Sequence, residues 1–344
     1  MSTLYPLAFK PEFKQRLWGG RRLAHYFPHM PAGPIGEAWI LSAHPHGPTV
    51  VENGPLSGRT IPELQVEFGQ GLVGSAAISR SAQDALEFPL LVKLLDSRED
   101  LSVQVHPPSR YDGLRPGESG KEEMWLVLRA DPGARIVYGL RPGITRQQLE
   151  TASRAGAGDI MTCLRQVEVS PGDVIPIPPG VVHSLGAGVV VAEVQQNSDT
   201  VYRLWDYGRL GPDGRPRELH VEQALDVIDC GATPATTRPD PPGPGTVQLL
   251  SSFSGIDVWR STCSGPWTRS ASRATFRSIV VISGIGDLSW GTNESGRQRL
   301  GLSAGSSILI PADCPDYAVS GDLTLLETSM AHEDAPARMS LPHR

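Results

Sequence analysis

The feature that most restricts the fold of this chain is a pattern that occurs twice. Val169-Ser-Pro-Gly-Asp-Val-Ile-Pro-Ile-Pro-Pro-Gly-Val-Val-His-Ser-Leu-Gly-Ala-Gly188 aligns without a gap on Leu302-Ser-Ala-Gly-Ser-Ser-Ile-Leu-Ile-Pro-Ala-Asp-Cys-Pro-Asp-Tyr-Ala-Val-Ser-Gly321. Each copy has an apolar residue and a glycine, a short apolar run, an Ile-Pro step and a closing glycine. Short apolar strands fenced by turn residues and repeated in this way predict two all-β barrels or sandwiches of jelly-roll type. The composition agrees. Gly and Pro together make up about a fifth of the 344 residues, against ~12% in average usage. One position separates the copies: the first has His183 where the second has Asp316. Whatever that histidine does, the second barrel is not expected to do.

The text between residues 87 and 137 is rich in Val, Leu and Ile broken by turn signals and reads as short antiparallel strands. The stretch 144–166, with Leu149, Ile160, Met161 and Leu164 and little β-branching, reads as one or two helices. Five prolines between Pro234 and Pro244 exclude helix and central strand, so 232–246 is a linker. The expected organisation is a first domain over 1–231, a second over 247–330 and a tail over 331–344.

Charge and cysteine usage narrow the function. The net charge is −6 and no Lys/Arg-dense run occurs, which disfavours nucleic acid and anionic membranes as partners. The segment from Met1 to Lys10 lacks a basic region followed by an apolar one, and no apolar run approaches the ~18 residues of a membrane span. Cys163, Cys230, Cys263 and Cys314 are scattered with no C-x-x-C pair. A soluble cytoplasmic protein with reduced thiols is expected.

The chemistry-bearing residues gather in the first half. On a strand Leu101-Ser-Val-Gln-Val-His106, alternation puts Leu101, Val103 and Val105 on one face and Ser102, Gln104 and His106 on the other. The preceding strand carries Lys93 and Asp96 in an apolar setting, where isolated charge is costly. The next begins with Lys121 and Glu123, and His183 follows the turn Pro178-Pro-Gly180. Two imidazoles, a carboxylate and an amide oxygen would suit zinc, or manganese, cobalt or ferrous iron. Spacing leaves a plainer reading open, of a strand-end and a turn histidine bonded to backbone. Glu193 and Gln195 share a face with Val189 and Val191, as pocket-lining groups or as a structural pair. Arg203 is equally a site or a surface arginine. Trp18, Trp39 and Trp125 read as core before sugar platform. His25, His29, His44 and His46 read as solvated loop residues.

Several motifs in one order carry a family likeness. Leu91-Val-Lys-Leu-Leu-Asp-Ser-Arg-Glu-Asp-Leu-Ser-Val-Gln-Val-His-Pro107, Gly120-Lys-Glu-Glu-Met-Trp125, Gly180-Val-Val-His-Ser-Leu-Gly-Ala-Gly188, Glu193-Val-Gln-Gln-Asn-Ser-Asp199 and Thr200-Val-Tyr-Arg-Leu-Trp-Asp-Tyr-Gly-Arg209 resemble the type I mannose-6-phosphate isomerases, zinc-dependent cupins. Trp18-Gly-Gly20 and Gly36-Glu-Ala-Trp-Ile-Leu-Ser42 add to it, and the likeness runs over roughly residues 10 to 330, closest to the shorter bacterial forms. It implies a mainly β, double-cupin fold with a helical insertion and a degenerate second barrel. It implies one zinc ion bound by Gln104, His106, Glu123 and His183, although Glu122 beside Glu123 leaves the ligating carboxylate open. Arg203, Lys121 and Glu193 are the implied catalytic groups, and Ser102 and Lys93 lie at positions near the substrate phosphate.

The implied reaction interconverts D-mannose 6-phosphate and D-fructose 6-phosphate through an enediol. It asks for a metal that orients oxygens, a cation beside developing charge and a base for the C2 proton. The expected partner is a small sugar phosphate, with the chain a monomer or homodimer. Rival readings keep the fold: an iron-dependent dioxygenase, an enzyme of another sugar phosphate, or a non-catalytic sugar sensor.

Overall fold

The computed structural model describes residues 4–78, 87–155, 157–211, 213–291 and 296–332. The tail expected over 331–344 therefore lies, from residue 333, outside the described residues.

Among the described residues the strands form three sheets. A six-stranded sheet runs Val174–Ile177, Glu123–Ala130, Val189–Gln196, Leu90–Ser97, Glu12–Gly20, Ile35–Ser42. A five-stranded sheet runs Tyr202–Trp205, Val103–Val105, His183–Ser184, Arg135–Leu140, Leu164–Glu168. These two make the first barrel. The third sheet is built on the long antiparallel strands Arg277–Trp290 and Tyr317–Met330, with Ile256–Ser264, Val247–Phe253 and Ser307–Ile310 beside them. The repeat in the sequence is a repeat in space: Val174–Ile177 and Ser307–Ile310 are the strands that the ungapped alignment superposes. At the position matching His183, Asp316 is exposed.

Every residue of Leu90–Ser97 is buried, and all but the last of Val189–Gln196, which is why these segments read as unbroken apolar runs. Two cores account for it. Leu95, Val189 and Val191 face the interior of the first barrel with Trp18, Trp125 and Ile175. Val92, Leu94, Val190, Ala192 and Val194 face the other way, into a core that also contains Ile256, Val258, Val280, Leu309 and Leu326 of the second barrel. The barrels therefore share a hydrophobic wall, and period-two alternation along two strands decides which residues turn toward the site.

Two boundaries differ from the sequence reading. The strand Leu7–Lys10 does not join the first barrel; it pairs with Ser307–Ile310 and with Val50–Val51 in the third sheet. A chain division at the linker thus leaves the amino-terminal strand with the second barrel, a long-range pairing that local pattern does not reveal. The linker is tied down as well, Arg238 Nε lying 2.6 Å from Asp173 Oδ1 and Thr237 bridging Val174. The helical stretch begins at Arg146–Ala155, where Thr145 and Gln148 form a reciprocal cap: the Thr145 N–H donates to Gln148 Oε1 (2.9 Å) and the Gln148 N–H to Thr145 Oγ1 (3.2 Å). Helix Ala157–Cys163 follows and leads into strand Leu164–Glu168. The sequence reading missed Ile61–Phe68, a helix capped in the same manner by Thr60 and Glu63.

Candidate active site

Strand register assembles the site. Gln104 lies opposite His183 on one side and opposite Arg203 on the other. Glu193 lies opposite Lys93 on one neighbour and Trp125 on the other, and Gln195 opposite Glu123. Side chains directly across a ladder are near neighbours, so six strands bring the residues together. The turn before His183 is fixed by Gly180, whose φ of 83° a side chain would resist and whose N–H donates to the His106 carbonyl at 3.0 Å.

His106 and His183 are fully buried, with ring centroids 4.5 Å apart, and Glu123 is 1% exposed. Glu123 Oε2 is 3.2 Å from His106 Nε2, and Oε1 is 3.8 Å from His183 Nε2. His183 Nδ1–H donates to the Val181 carbonyl (2.9 Å), so its Nε2 presents a lone pair toward Glu123. Gln104 Nε2 donates to that nitrogen at 3.4 Å, and turning the amide over offers Oε1 instead. His106 Nε2 meets the Glu123 carboxylate, while its Nδ1 has no hydrogen-bond partner among the described residues. Burial, with the Lys121 ammonium, pushes the His106 pKa down to about 3, and burial lowers that of His183. Burial alone would raise the Glu123 carboxyl; Lys121, 2.8 Å away, and the imidazoles overcome it and hold it well below the usual carboxylate range. Two neutral imidazoles and a carboxylate buried together, with His106 Nδ1 unpartnered among the described residues, form a donor set that fits a divalent metal of borderline softness. Of the adjacent carboxylates, Glu123 is the one beside the histidines. Glu122 turns away and accepts from Ser254 Oγ at 2.8 Å.

This cluster stands at a cavity of about 410 Å³ whose wall includes Trp18, Trp39, Trp125, Lys93, Ser102, Gln104, Lys121, Glu193 and Arg203. Lys93 Nζ donates to Glu193 Oε1 (2.8 Å) and Gln195 Oε1 (2.6 Å), and Trp125 Nε1 donates to Glu193 Oε2 (2.9 Å). Lys121 Nζ reaches Gln195 Oε1 at 3.0 Å. The two alternatives for Glu193 thus coincide, since the carboxylate lines the cavity and is a paired structural group. The tryptophans likewise are both buried core and cavity wall.

The expected face holds for Ser102 and Gln104, which line the cavity, and for Val103 and Val105, which pack into the core beneath the five-stranded sheet. Leu101 departs from it: it precedes the paired segment and joins the barrel interior with Trp125. Of the loop histidines, His25, His29 and His46 are exposed as expected, and His44 departs from expectation. His44 is buried, its Nε2 3.4 Å from Asp199 Oδ1, and His46 Nδ1 is 2.6 Å from Asp199 Oδ2. The His46 backbone N–H donates to His44 Nδ1 (3.2 Å), which leaves the His44 proton on Nε2, directed at Asp199. This is a cluster hydrogen-bonded to Asp199 through His44 Nε2 and His46 Nδ1. The sequence signal was the His-Pro-His step, but its acidic partner lies far along the chain.

A chain of two linked β-barrels, one holding a buried imidazole–carboxylate–amide centre at the wall of a charged cavity, belongs to the double-barrel class of metal-site β-proteins. The family model described as phosphomannose isomerase type I, catalytic domain, matches residues 7–116. The mannose-6-phosphate isomerase of Streptococcus mutans is 35% identical over 327 residues, covering 93% of this chain and 97% of that protein. Mannose-6-phosphate isomerase ManA of Bacillus subtilis is 42% identical over 233 residues, 67% of this chain and 70% of that protein. The crystal structure of a B. subtilis mannose 6-phosphate isomerase superposes with a TM-score of 0.83 at 32% identity, covering 94% of this chain and 99% of that one. The chain belongs to the mannose-6-phosphate isomerase family.

Proposed function

We propose that this protein interconverts D-mannose 6-phosphate and D-fructose 6-phosphate with one zinc ion held by Gln104, His106, Glu123 and His183. The observation that carries the reading is the buried cluster of His106, Glu123 and His183 behind Gln104 and Lys121, which line a cavity of about 410 Å³. When bound, the metal supplies orientation of the sugar oxygens and electrostatic relief of charge developing on them.

The remaining work falls to side chains of the cavity. In the aldose-to-ketose direction a proton leaves C2 and the C1 carbonyl oxygen gains one, giving the enediol; a proton is then delivered to C1 while the C2 hydroxyl proton departs and leaves a carbonyl. Glu193 is the cavity carboxylate that takes and returns the carbon-bound proton, held in one orientation by Lys93 and Trp125. Lys121 places an ammonium beside the same centre, 2.8 Å from Glu123, where a fixed cation stabilises enediolate charge in a site with little water. Trp18, Trp39 and Trp125 exclude solvent from the reacting end. Four unpaired cysteines suit a reducing compartment, and we place the protein in the cytoplasm.

The test is a coupled assay of mannose 6-phosphate to fructose 6-phosphate on one purified sample divided into untreated, chelated and zinc-restored portions. Activity lost to the chelator and regained with zinc supports substrate, reaction and metal together. A folded, zinc-loaded sample with no turnover refutes the reading.

A further inference from the structure

A second cavity, of about 790 Å³, shares Asp199 as a wall residue with the cavity of the metal site. Its wall is built by helix Ile61–Phe68, which the sequence reading missed, and by the loops 43–48, 117–119 and 197–200. Pro45, Pro48, Pro62 and Phe88 give it apolar surface, and Val66, 90% exposed, stands at its rim. Two carboxamides on the same wall are out of place in such a setting. Gln65 is only 5% exposed, yet its Nε2 has no hydrogen-bond partner among the described residues, and the buried Asn197 Oδ1 has none either. Folded chains leave few buried polar atoms unpaired. The polar groups around these two are engaged: Glu118 Oε2 accepts from the Arg115 N–H (2.9 Å), Ser198 Oγ donates to the Ser119 carbonyl (2.5 Å), and Asp199 meets His44 and His46. An amide that makes no hydrogen bond can turn into the cavity without breaking one.

We propose that this cavity binds a neutral saccharide, at a site separate from the one where the reaction takes place. Charge decides against an anion. The charged groups on the wall are Glu87, Glu118 and Asp199, with no lysine or arginine among the described residues, so a phosphate ester meets only like charge. An ammonium is no better served, because Glu118 and Asp199 already have partners. What the wall offers is two free carboxamides, each a donor and an acceptor, and hydroxyl groups are the ligands that are both at once. The C–H faces of a sugar ring pack on Phe88 and the prolines, in the usual mixture of apolar wall and a few polar anchors. The space is nearly twice that of the metal-site cavity, about 790 against about 410 Å³, and takes a disaccharide as readily as a single ring. A sugar seated there lies against Asp199, and so against a wall of the reaction cavity.

The experiment uses the zinc-loaded full chain and two probes, methyl α-D-mannopyranoside, which has neither a phosphate nor a carbonyl to isomerise, and mannobiose. Each is titrated by ligand-observed NMR into the wild type, Gln65→Met and Val66→Trp. The wild type should bind at least one of them at roughly millimolar concentration or below. Gln65→Met removes the amide at similar volume and should weaken binding about 10-fold, the worth of one buried hydrogen bond. Its melting temperature should not fall, since the lost amide had no partner. Val66→Trp alters a solvent-facing residue and narrows the mouth, so it should weaken binding too and serves if Gln65→Met does not fold. Both variants should keep their zinc and their kcat/KM for mannose 6-phosphate within about threefold. Saturating mannose 6-phosphate should leave the sugar in place. The proposal is overturned if neither probe binds the wild type, if both variants bind as the wild type does, or if mannose 6-phosphate displaces the sugar, which would put it in the reaction cavity.

Discussion

Replacing Glu327 by Gln tests whether the second barrel is scaffold. Glu327 is fully buried and accepts from Arg269 Nη1 through both oxygens (2.6 Å each), from Arg277 Nη1 (3.1 Å) and from Ser261 Oγ. Burial alone would raise its pKa; the two guanidiniums prevail and bring it from an ordinary 4.5 down to about 2. That shift corresponds to roughly 3 kcal/mol of folding stability at neutral pH. The amide removes the carboxylate charge shared by two arginines that are 9% and 15% exposed, and losing one partner of a buried ion cluster costs about 3–5 kcal/mol. The two routes agree. Because folding lowers this pKa, the contribution is complete above the ordinary carboxylate range and is lost as pH falls toward 2. Thermal denaturation of Glu327→Gln at pH 7 should therefore show a melting temperature roughly 4–7 °C below wild type, with the gap narrowing steadily below pH 4. At 25 °C the folded variant should keep its zinc and its kcat/KM. A melting temperature within a degree of wild type, or a gap indifferent to pH, would show that the carboxylate is not the counter-ion described. A folded variant without isomerisation would show that the second barrel reaches into the chemistry.

Glu123→Gln should weaken zinc by more than the ~100-fold typical of losing an outer-sphere partner, and activity should fall with bound metal; Glu122→Gln should leave both as they are, by metal analysis and the coupled assay. Trp125→Phe removes the indole donor to Glu193 and leaves a buried carboxylate oxygen short of a bond, for about 1–3 kcal/mol of stability and a lower kcat at unchanged zinc content; wild-type turnover would remove Trp125 from positioning that carboxylate. Removing zinc with a chelator should lower the melting temperature as well as the rate, since a metal at 100 times its dissociation constant contributes about 2.7 kcal/mol. Deleting residues 247–330 should leave Val92, Leu94 and Val194 facing water in place of Leu309 and Leu326, so the fragment should be insoluble; a soluble, active truncation would contradict the shared wall.

What could be read in the sequence follows from the range of each interaction. Alternation on a strand is local, so the shared face of Ser102 and Gln104 was legible. So was the repeat that places Val174–Ile177 and Ser307–Ile310 at matching positions. A cap of the Thr-x-x-Gln kind spans four residues and is written at Thr145, though the sequence was read there only as a helical stretch. The face of Leu101 was not legible, because alternation fails where a segment leaves its ladder, and Leu101 precedes the first paired residue, Val103. The pairing of Leu7–Lys10 with Ser307–Ile310 joins opposite ends of the chain, and no local pattern announces a partner at that distance.

The charged groups show the same division more sharply, because a side chain's chemistry is fixed by its type while its role is fixed by its neighbours. Lys93 stood out in sequence as a cation in an apolar strand, and the family likeness placed it near the substrate phosphate. In the fold it is the most heavily committed cation of the cavity, bonded to Glu193 and Gln195 and lying over the Trp39 ring at 5.3 Å. Arg217, in an unremarkable loop stretch, carried no signal at all, yet it faces the cavity beside Arg203 with only a share of Asp206 to offset it. A buried charge is conspicuous in sequence because it must be compensated, and compensation is what withdraws it from a ligand. Which charges are left under-compensated is visible only once every partner has been placed.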